Sequence, residues 1–300
     1  MTARATAPAG DTDDPRPAVD TALVRRLVDT QFPQWAGLPL TLVDPSGSDH
    51  VIHRLGAELS VRLPRHSGAI TQAEKESAWL PRLAPRLPLA VPVPVAVGRP
   101  DLGYPWPWAV SRWLDGDVAT VEALADSGEA AVALAEFLTA LWGFTSEDGA
   151  PPEALGQLAD RDAATRAAIA EVDGAFDAAA LTALWDAALG APAWDRPAVW
   201  VHGDFHTGNL LTTGGRLSAV IDFGELGLGD PARDLIVAHT LMSARSRAAF
   251  RAALGVDDAT WLRGRGWALA TGLNAYVSYA AVDPRVAAQT TRQITQALIG

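Results

Sequence analysis

The stretch VHGDFHTGNLLTTGGRLSAVIDFGELGLGDPARD, from Val201 to Asp234, constrains this chain more than any other. Its polar residues stand singly among apolar ones: Asp204 after His202-Gly203, Asn209 five positions on, and Asp222 before Phe223-Gly224. Leu210-Leu211, Gly214-Gly215 and Leu217 to Ile221 read as strand, turn and strand, because glycines supply the positive φ that tight hairpins need. Such a hairpin returns Asp222 to Asn209 across thirteen positions of chain. Two carboxylates and a side-chain amide then share one small volume. Hard oxygen donors of this kind suit a divalent cation such as magnesium, and a carboxylate outside the ligand set can accept a proton.

His-Gly-Asp, then Asn after four residues, then Asp-Phe-Gly, follows the grammar of the protein-kinase motifs H-R-D-x-x-x-x-N and D-F-G. With His-Gly-Asp where protein kinases carry His-Arg-Asp, and with GDPARDL downstream, the stretch resembles the aminoglycoside phosphotransferases. The resemblance extends over almost all of the chain after about residue 20 and is tightest from Val201 to Leu235. It implies an α+β, bilobal, protein-kinase-like fold. An antiparallel-sheet N-lobe over residues 19–115 would hold the nucleotide, and a mostly helical C-lobe over 116–300 would carry the catalytic loop and acceptor pocket. The implied reaction is ATP- and magnesium-dependent transfer of the γ-phosphoryl to a hydroxyl of a small molecule, with GTP open as an alternative donor. Aminoglycoside-type antibiotics are the family's default acceptor; an endogenous amino alcohol or sugar would use the same residues. Asp204 is then the base, and Asn209 and Asp222 are the metal ligands. A nucleotide-binding regulatory protein without transfer is the alternative of another class, and the intact Asp204, Asn209 and Asp222 speak against it.

Upstream, Asp20 is a plausible N-cap for a helix with Leu23, Val24, Leu27 and Val28 on one face. Leu38 to Val43, Val51 to Leu55 and Leu59 to Leu63 read as strands. Between the first two, the small-residue turn Ser46 to Asp49 takes the place of the family's loop over the nucleotide phosphates. The third strand carries Arg62 where kinases place a phosphate-binding lysine; arginine keeps the charge and changes the geometry. A helix from about Thr71 to Leu83 offers Glu74 and Glu76 as its partner. Glu76 is preferred because Leu80 and Leu83 follow at +4 and +7, on the stripe that faces the sheet. Pro92 and Pro94 bar Leu87 to Val97 from a central strand. Trp108 to Leu114 is a strand, and the resemblance makes its end the hinge that binds adenine, with Ser111 and Trp113 as candidates. Trp106, Trp108 and Trp113 equally suit core and interface aromatics.

After Gly116 the chain turns Ala- and Leu-rich. Helices are expected over Ala130 to Phe144, Pro152 to Val172, Asp177 to Leu189, Asp230 to about Ala244, Asp257 to Ala281 and Pro284 to Leu298. Asp234 is expected to brace the catalytic loop, as in the family, or simply to complement a helix dipole. The acceptor pocket is expected from the C-terminal helices and the segment after Gly224, with Glu225 as one contact.

A net charge of −11 argues against nucleic acid or an anionic membrane surface as partner and would suit a cationic substrate. The chain lacks an apolar run long enough to span a bilayer, and it has no cysteine, which fits a cytoplasmic protein. The first eighteen residues lack an apolar core, so a disordered tail is expected there rather than a signal peptide. His202 and His206 with Asp204 and Asp222 could alternatively form a transition-metal cluster of a hydrolase. That alternative leaves Asn209, Arg62 and Glu76 without a role. No GxxxxGK[ST] occurs, which excludes a Walker-type kinase. The sequence leaves the oligomeric state open.

Overall fold

The computed structural model describes residues 17–44, 49–144, 154–172 and 174–300. The expected turn at 46–48, most of the expected tail and the start of the expected helix at 152 lie outside the described residues.

The chain begins with helix α1 (Thr21–Gln31), whose N-cap Asp20 accepts the Leu23 N–H at 2.7 Å. Five strands then build one antiparallel sheet: β1 (Leu40–Leu42), β2 (His50–Leu55), β3 (Leu59–Pro64), β4 (Pro94–Gly98) and β5 (Trp108–Arg112), in the order β1-β2-β3-β5-β4. The proline-bearing strand is an edge, as a residue without an N–H requires, and its register slips between Pro94 and Ala96. Leu23, Val24, Leu27 and Val28 of α1 pack on Leu55, Val61, Leu63, Trp108 and Val110 to form this lobe's core. Helix α2 (Gln72–Leu83) leaves the sheet after β3. Its Trp79 meets Trp200 with ring centroids 4.8 Å apart, so α2 also belongs to the core of the second lobe.

The second lobe opens with strand β6 (Asp117–Val118) and helices α3 (Val121–Leu124), α4 (Gly128–Trp142), α5 (Asp162–Glu171) and α6 (Ala178–Gly190). Strand β7 (Val199–Val201) leads into the hairpin β8 (Leu210–Thr213) and β9 (Arg216–Val220), and β10 (Gly227–Gly229) returns antiparallel to β7. Gly214 and Gly215 turn the hairpin at φ 59° and 76°. Helices α7 (Val237–Thr240), α8 (Ala244–Leu254), α9 (Asp258–Tyr279) and α10 (Pro284–Ile299) complete the chain. One core joins α4 to the hairpin through Leu134, Leu138, Phe205 and Phe223, and another packs α5 and α6 on α9 and α10. The fold is α+β and bilobal. Among the described residues, no helix is long and apolar enough to cross a membrane.

One expected element is wrong in kind. A single helix from Asp230 to about Ala244 is replaced by a 3-10 segment, Pro231–Ile236, the short α7, and a separate α8 beginning at Ala244. The tighter 3-10 turn goes with burial of all six residues, including both Arg233 and Asp234, which an amphipathic α-helix would separate. Helix α8 was missed. Its Arg247 and Phe250 are buried within a sequence of mostly short and charged residues.

Helix α7 also buries a titratable group. His239 is fully buried, with Nδ1 3.3 Å from the Gln296 carbonyl. Burial first, then Arg247, lowers its pKa to about 3. Because the folded pKa lies below the unfolded one, stability from this group is present above the ordinary histidine range and is lost as pH falls through it. Unfolding free energies measured in denaturant from pH 7.5 down to 4.5 should fall less steeply in His239→Asn, by roughly 3 kcal/mol across the window. Parallel curves for the two proteins would refute this.

Candidate active site

The hairpin does what its spacing requires: Ile221 N–H donates to the Asn209 carbonyl at 2.9 Å, which puts Asp222 beside Asn209. His202 ties the two motif loops together. Its Nε2 donates to the Ile221 carbonyl at 3.0 Å while Nδ1 accepts the Asp204 N–H at 3.3 Å. The ring is buried 4.6 Å from Phe223, and burial lowers its pKa to about 4, so it is a neutral brace. Asp234, itself fully buried, accepts the N–H groups of His202 at 3.0 Å and Gly203 at 2.9 Å and the Trp142 indole at 3.3 Å. Burial pushes its carboxyl up to about 6 against those donors. Gly203 sits at φ +84°, and a Cβ there would lie 2.4 Å from the Glu225 carbonyl oxygen. Glycine is therefore the residue that fits between His202 and Asp204.

The Asp204 carboxylate lies at the mouth of this loop with its side chain 22% exposed. The Asn209 amide donates to the Asp204 carbonyl at 2.9 Å and to its Oδ2 at 3.2 Å. Burial acts to raise the Asp204 pKa, but His206 first, with Arg233 behind it, holds it below the usual carboxylate range. His206 Nε2 stands 3.5 Å from Oδ2, an ion-pair distance too long for a good hydrogen bond.

Asn209 Oδ1 is buried and has no hydrogen-bond partner among the described residues. Asp222, at φ 65°, approaches Arg62 with Oδ1 3.5 Å from Nη2. Its carboxyl is pushed up to about 6, first by burial, against Arg62, with Asp204, Glu76 and Asp49 adding to the rise. An orphaned amide oxygen beside crowded carboxylates fits a hard divalent cation, which would satisfy the one and neutralise the other. Arg62 Nη1 donates to both Glu76 oxygens, at 3.0 and 2.7 Å, and Glu76 is buried. Glu74 is exposed.

Two cavities meet at the Asp204 loop. One, of about 320 Å³, lies under the sheet and is lined by Arg62, Trp113, Leu114, Asn209 and Asp222 among others. The other, of about 350 Å³, lies on the opposite side of the loop and is lined by Asp204, His206 and residues of α9 and α10. Gly208 borders both.

Several sequence expectations are placed differently. Ser111 is buried inside β5, where its carbonyl accepts Ser60 Oγ at 3.4 Å, and it does not line the cleft. Trp113 does line it, but its backbone N–H donates to Glu58 O at 2.8 Å and its indole to Asp115 at 2.8 Å. Leu114 follows in the lining, where the strand has ended. Glu225 faces Arg233 at 3.2 Å and lines neither cavity. Among the described residues no group of three His, Cys, Asp or Glu is placed to hold a metal. Sequence reasoning missed Arg233, whose Nε holds the Gly203 carbonyl at 2.9 Å. Its position beside Asp234 in GDPARD was the available signal.

The fold and this paired-loop site define a kinase-like phosphotransferase. The model of the phosphotransferase enzyme family (APH) matches residues 42–267, and the chain belongs to that family. No curated protein matches the sequence. Among solved structures, the GDP and kanamycin complex of APH(2")-IIia is 20% identical with a TM-score of 0.72, covering 92% of this chain and 98% of that one. The macrolide 2'-phosphotransferase MphH from Brachybacterium faecium is 22% identical with a TM-score of 0.61, covering 93% and 96%. The streptomycin-ATP-APH(2")-IIa ternary complex is 16% identical with a TM-score of 0.61, covering 88% and 92%. At these identities the likeness is one of fold.

Proposed function

We propose that this protein transfers the γ-phosphoryl of ATP to a hydroxyl of a small molecule, in the cytoplasm, with a division into nucleotide and acceptor lobes near Asp115. The observation that carries this reading is the pair of cavities meeting at one loop, with Asn209 and Asp222 on one side and Asp204 on the other. The acceptor hydroxyl would lie against Asp204, which His206 and Arg233 hold below the usual carboxylate range, leaving it able to accept a proton. Asn209 and Asp222 would hold magnesium, which when bound supplies positive charge to the phosphates. Arg62, fixed by Glu76, would lie alongside the phosphates, and the Leu114 backbone, rather than Ser111 or Trp113, would meet the adenine edge. Aminoglycosides and macrolides, the compounds on which solved neighbours act or which they bind, are the acceptor classes to try first, with amino alcohols and sugars after them.

The test is an ADP-release assay over these acceptors with magnesium, manganese and a zinc-selective chelator. Turnover should need magnesium or manganese and survive the chelator; loss of activity with zinc removal would sink the reading. Arg62→Ala should raise the KM for ATP about ten- to hundredfold, the scale of a charge-assisted hydrogen bond, with a smaller effect on the acceptor KM. Unchanged ATP dependence would remove Arg62 from the nucleotide site.

A further inference from the structure

The acceptor-side cavity has a charge balance unlike that of the chain around it. The protein carries a net charge of −11. Yet among the described residues lining this pocket, the formal charges besides the Asp204 carboxylate are Glu122 and Arg292, with His206 at the Asp204 end. Glu122 is exposed, on the rim. Arg292 is fixed in place: its Nη2 donates to the carbonyls of Leu241 and Met242, each at 3.0 Å, and its Nε to that of Thr240 at 3.3 Å. The pocket thus has one carboxylate that the reaction itself uses, one at its edge, and one guanidinium offsetting the latter.

The neutral polar lining offers little more to a cation. Thr271 Oγ1 donates to the Trp267 carbonyl at 2.9 Å and Thr290 Oγ1 to the Val286 carbonyl at 2.7 Å, each within its own helix. Gln293 donates to Ala268 O at 2.7 Å and to Thr271 Oγ1 at 2.8 Å. Val118, Val121, Ile236, Ala275 and Val286 supply apolar wall. A molecule with several ammonium groups would have to surrender their hydration here with only Asp204 and Glu122 as carboxylates among the described lining residues, and would bring one of them toward Arg292.

We infer that the acceptor is a weakly charged alcohol, with at most one cationic centre, that lays an apolar face against Val118, Val121, Ile236, Ala275 and Val286. This deepens, and rests on, the phosphotransferase reading above. A single amine is accommodated at the Glu122 rim, and the apolar face contributes binding by burial. In the transfer, the bond from the acceptor oxygen to the γ-phosphorus forms as the β–γ bridging bond breaks. The hydroxyl proton passes to Asp204, and ADP leaves with the bridging oxygen.

The experiment uses the full chain with magnesium and ATP, and acceptors graded in charge: erythromycin and 2-amino-1-phenylethanol with one amine each, kanamycin and gentamicin with several. The expected result is a kcat/KM for both polyamines at least about a hundredfold below that of the better singly charged acceptor. A second arm adds acid to the rim. Gln289 is exposed and Val121 partly so, which makes Gln289→Glu with Val121→Asp compatible with folding. That variant should gain on kanamycin relative to the singly charged acceptor. Kanamycin or gentamicin used as efficiently as the singly charged alcohols overturns the inference. So does ATP binding with no transfer to either singly charged acceptor. Failure to bind ATP in calorimetry overturns instead the phosphotransferase reading beneath it.

Discussion

Asp204→Ala is expected to lower kcat by about a hundredfold or more, the usual scale for losing a general base, while nucleotide affinity changes little. The separation of effects follows from the two cavities. Asp204 lines the acceptor-side pocket and is absent from the lining of the cleft under the sheet, where Arg62, Asn209 and Asp222 stand. Removing the carboxylate leaves Asn209 its stronger bond, to the Asp204 carbonyl at 2.9 Å, so the loop retains its tie. Asp204→Asn should be nearly as damaging, since the amide keeps the shape and cannot take the proton. Kinetics and calorimetry on the same preparations decide the matter. Full activity in both variants, with the fold intact, would mean that the base lies elsewhere.

Asp222→Asn should have a larger effect, a loss of turnover on the order of a thousandfold. If Asp222 holds magnesium as proposed, losing that ligand charge would cost several kcal/mol in the transition state. Asparagine is the informative substitute because Asp222 sits at φ 65°, a conformation that Asn tolerates and Ala does not. The variant should be at least as stable as the parent. Burial and the neighbouring Asp204, Glu76 and Asp49 already push the Asp222 carboxyl up to about 6, so its charge at neutral pH is held at a cost that the amide avoids. Thermal unfolding and a magnesium titration of turnover test the two halves together. A destabilised variant that retains magnesium-dependent activity would contradict both.

Much of the site could be read from local pattern. The hairpin was legible because its glycines and alternating apolar residues leave few other ways to run the chain. Glu76 was chosen over Glu74 on helical phase alone, and the Arg62 contacts at 3.0 and 2.7 Å agree with that choice. The residues from Asp230 to Ala244 were not legible in this way. Their path is set by contacts with distant chain: Arg233 on the Gly203 carbonyl, Asp234 on two loop N–H groups, and Arg292 on the carbonyls that follow α7. Helical periodicity is a property of neighbours in sequence and carries no record of such partners.

The hinge shows the same division at smaller scale. The sequence placed a strand there, but which residue keeps an open backbone edge depends on what pairs with it. Glu58, fifty-five positions away, occupies the Trp113 N–H. By itself, then, the sequence carried β1, β2, β3, β5 and most helices, the hairpin that brings Asp222 beside Asn209, and the arginine–glutamate pair, because each is written in spacing or phase over short stretches. The tertiary structure alone decided the charge balance of the cavity beside Asp204. A net charge of −11 is a sum over the whole chain. Only folding selects which charges face one cavity, and here it leaves Glu122 and Arg292 beside Asp204 and His206, with apolar wall between.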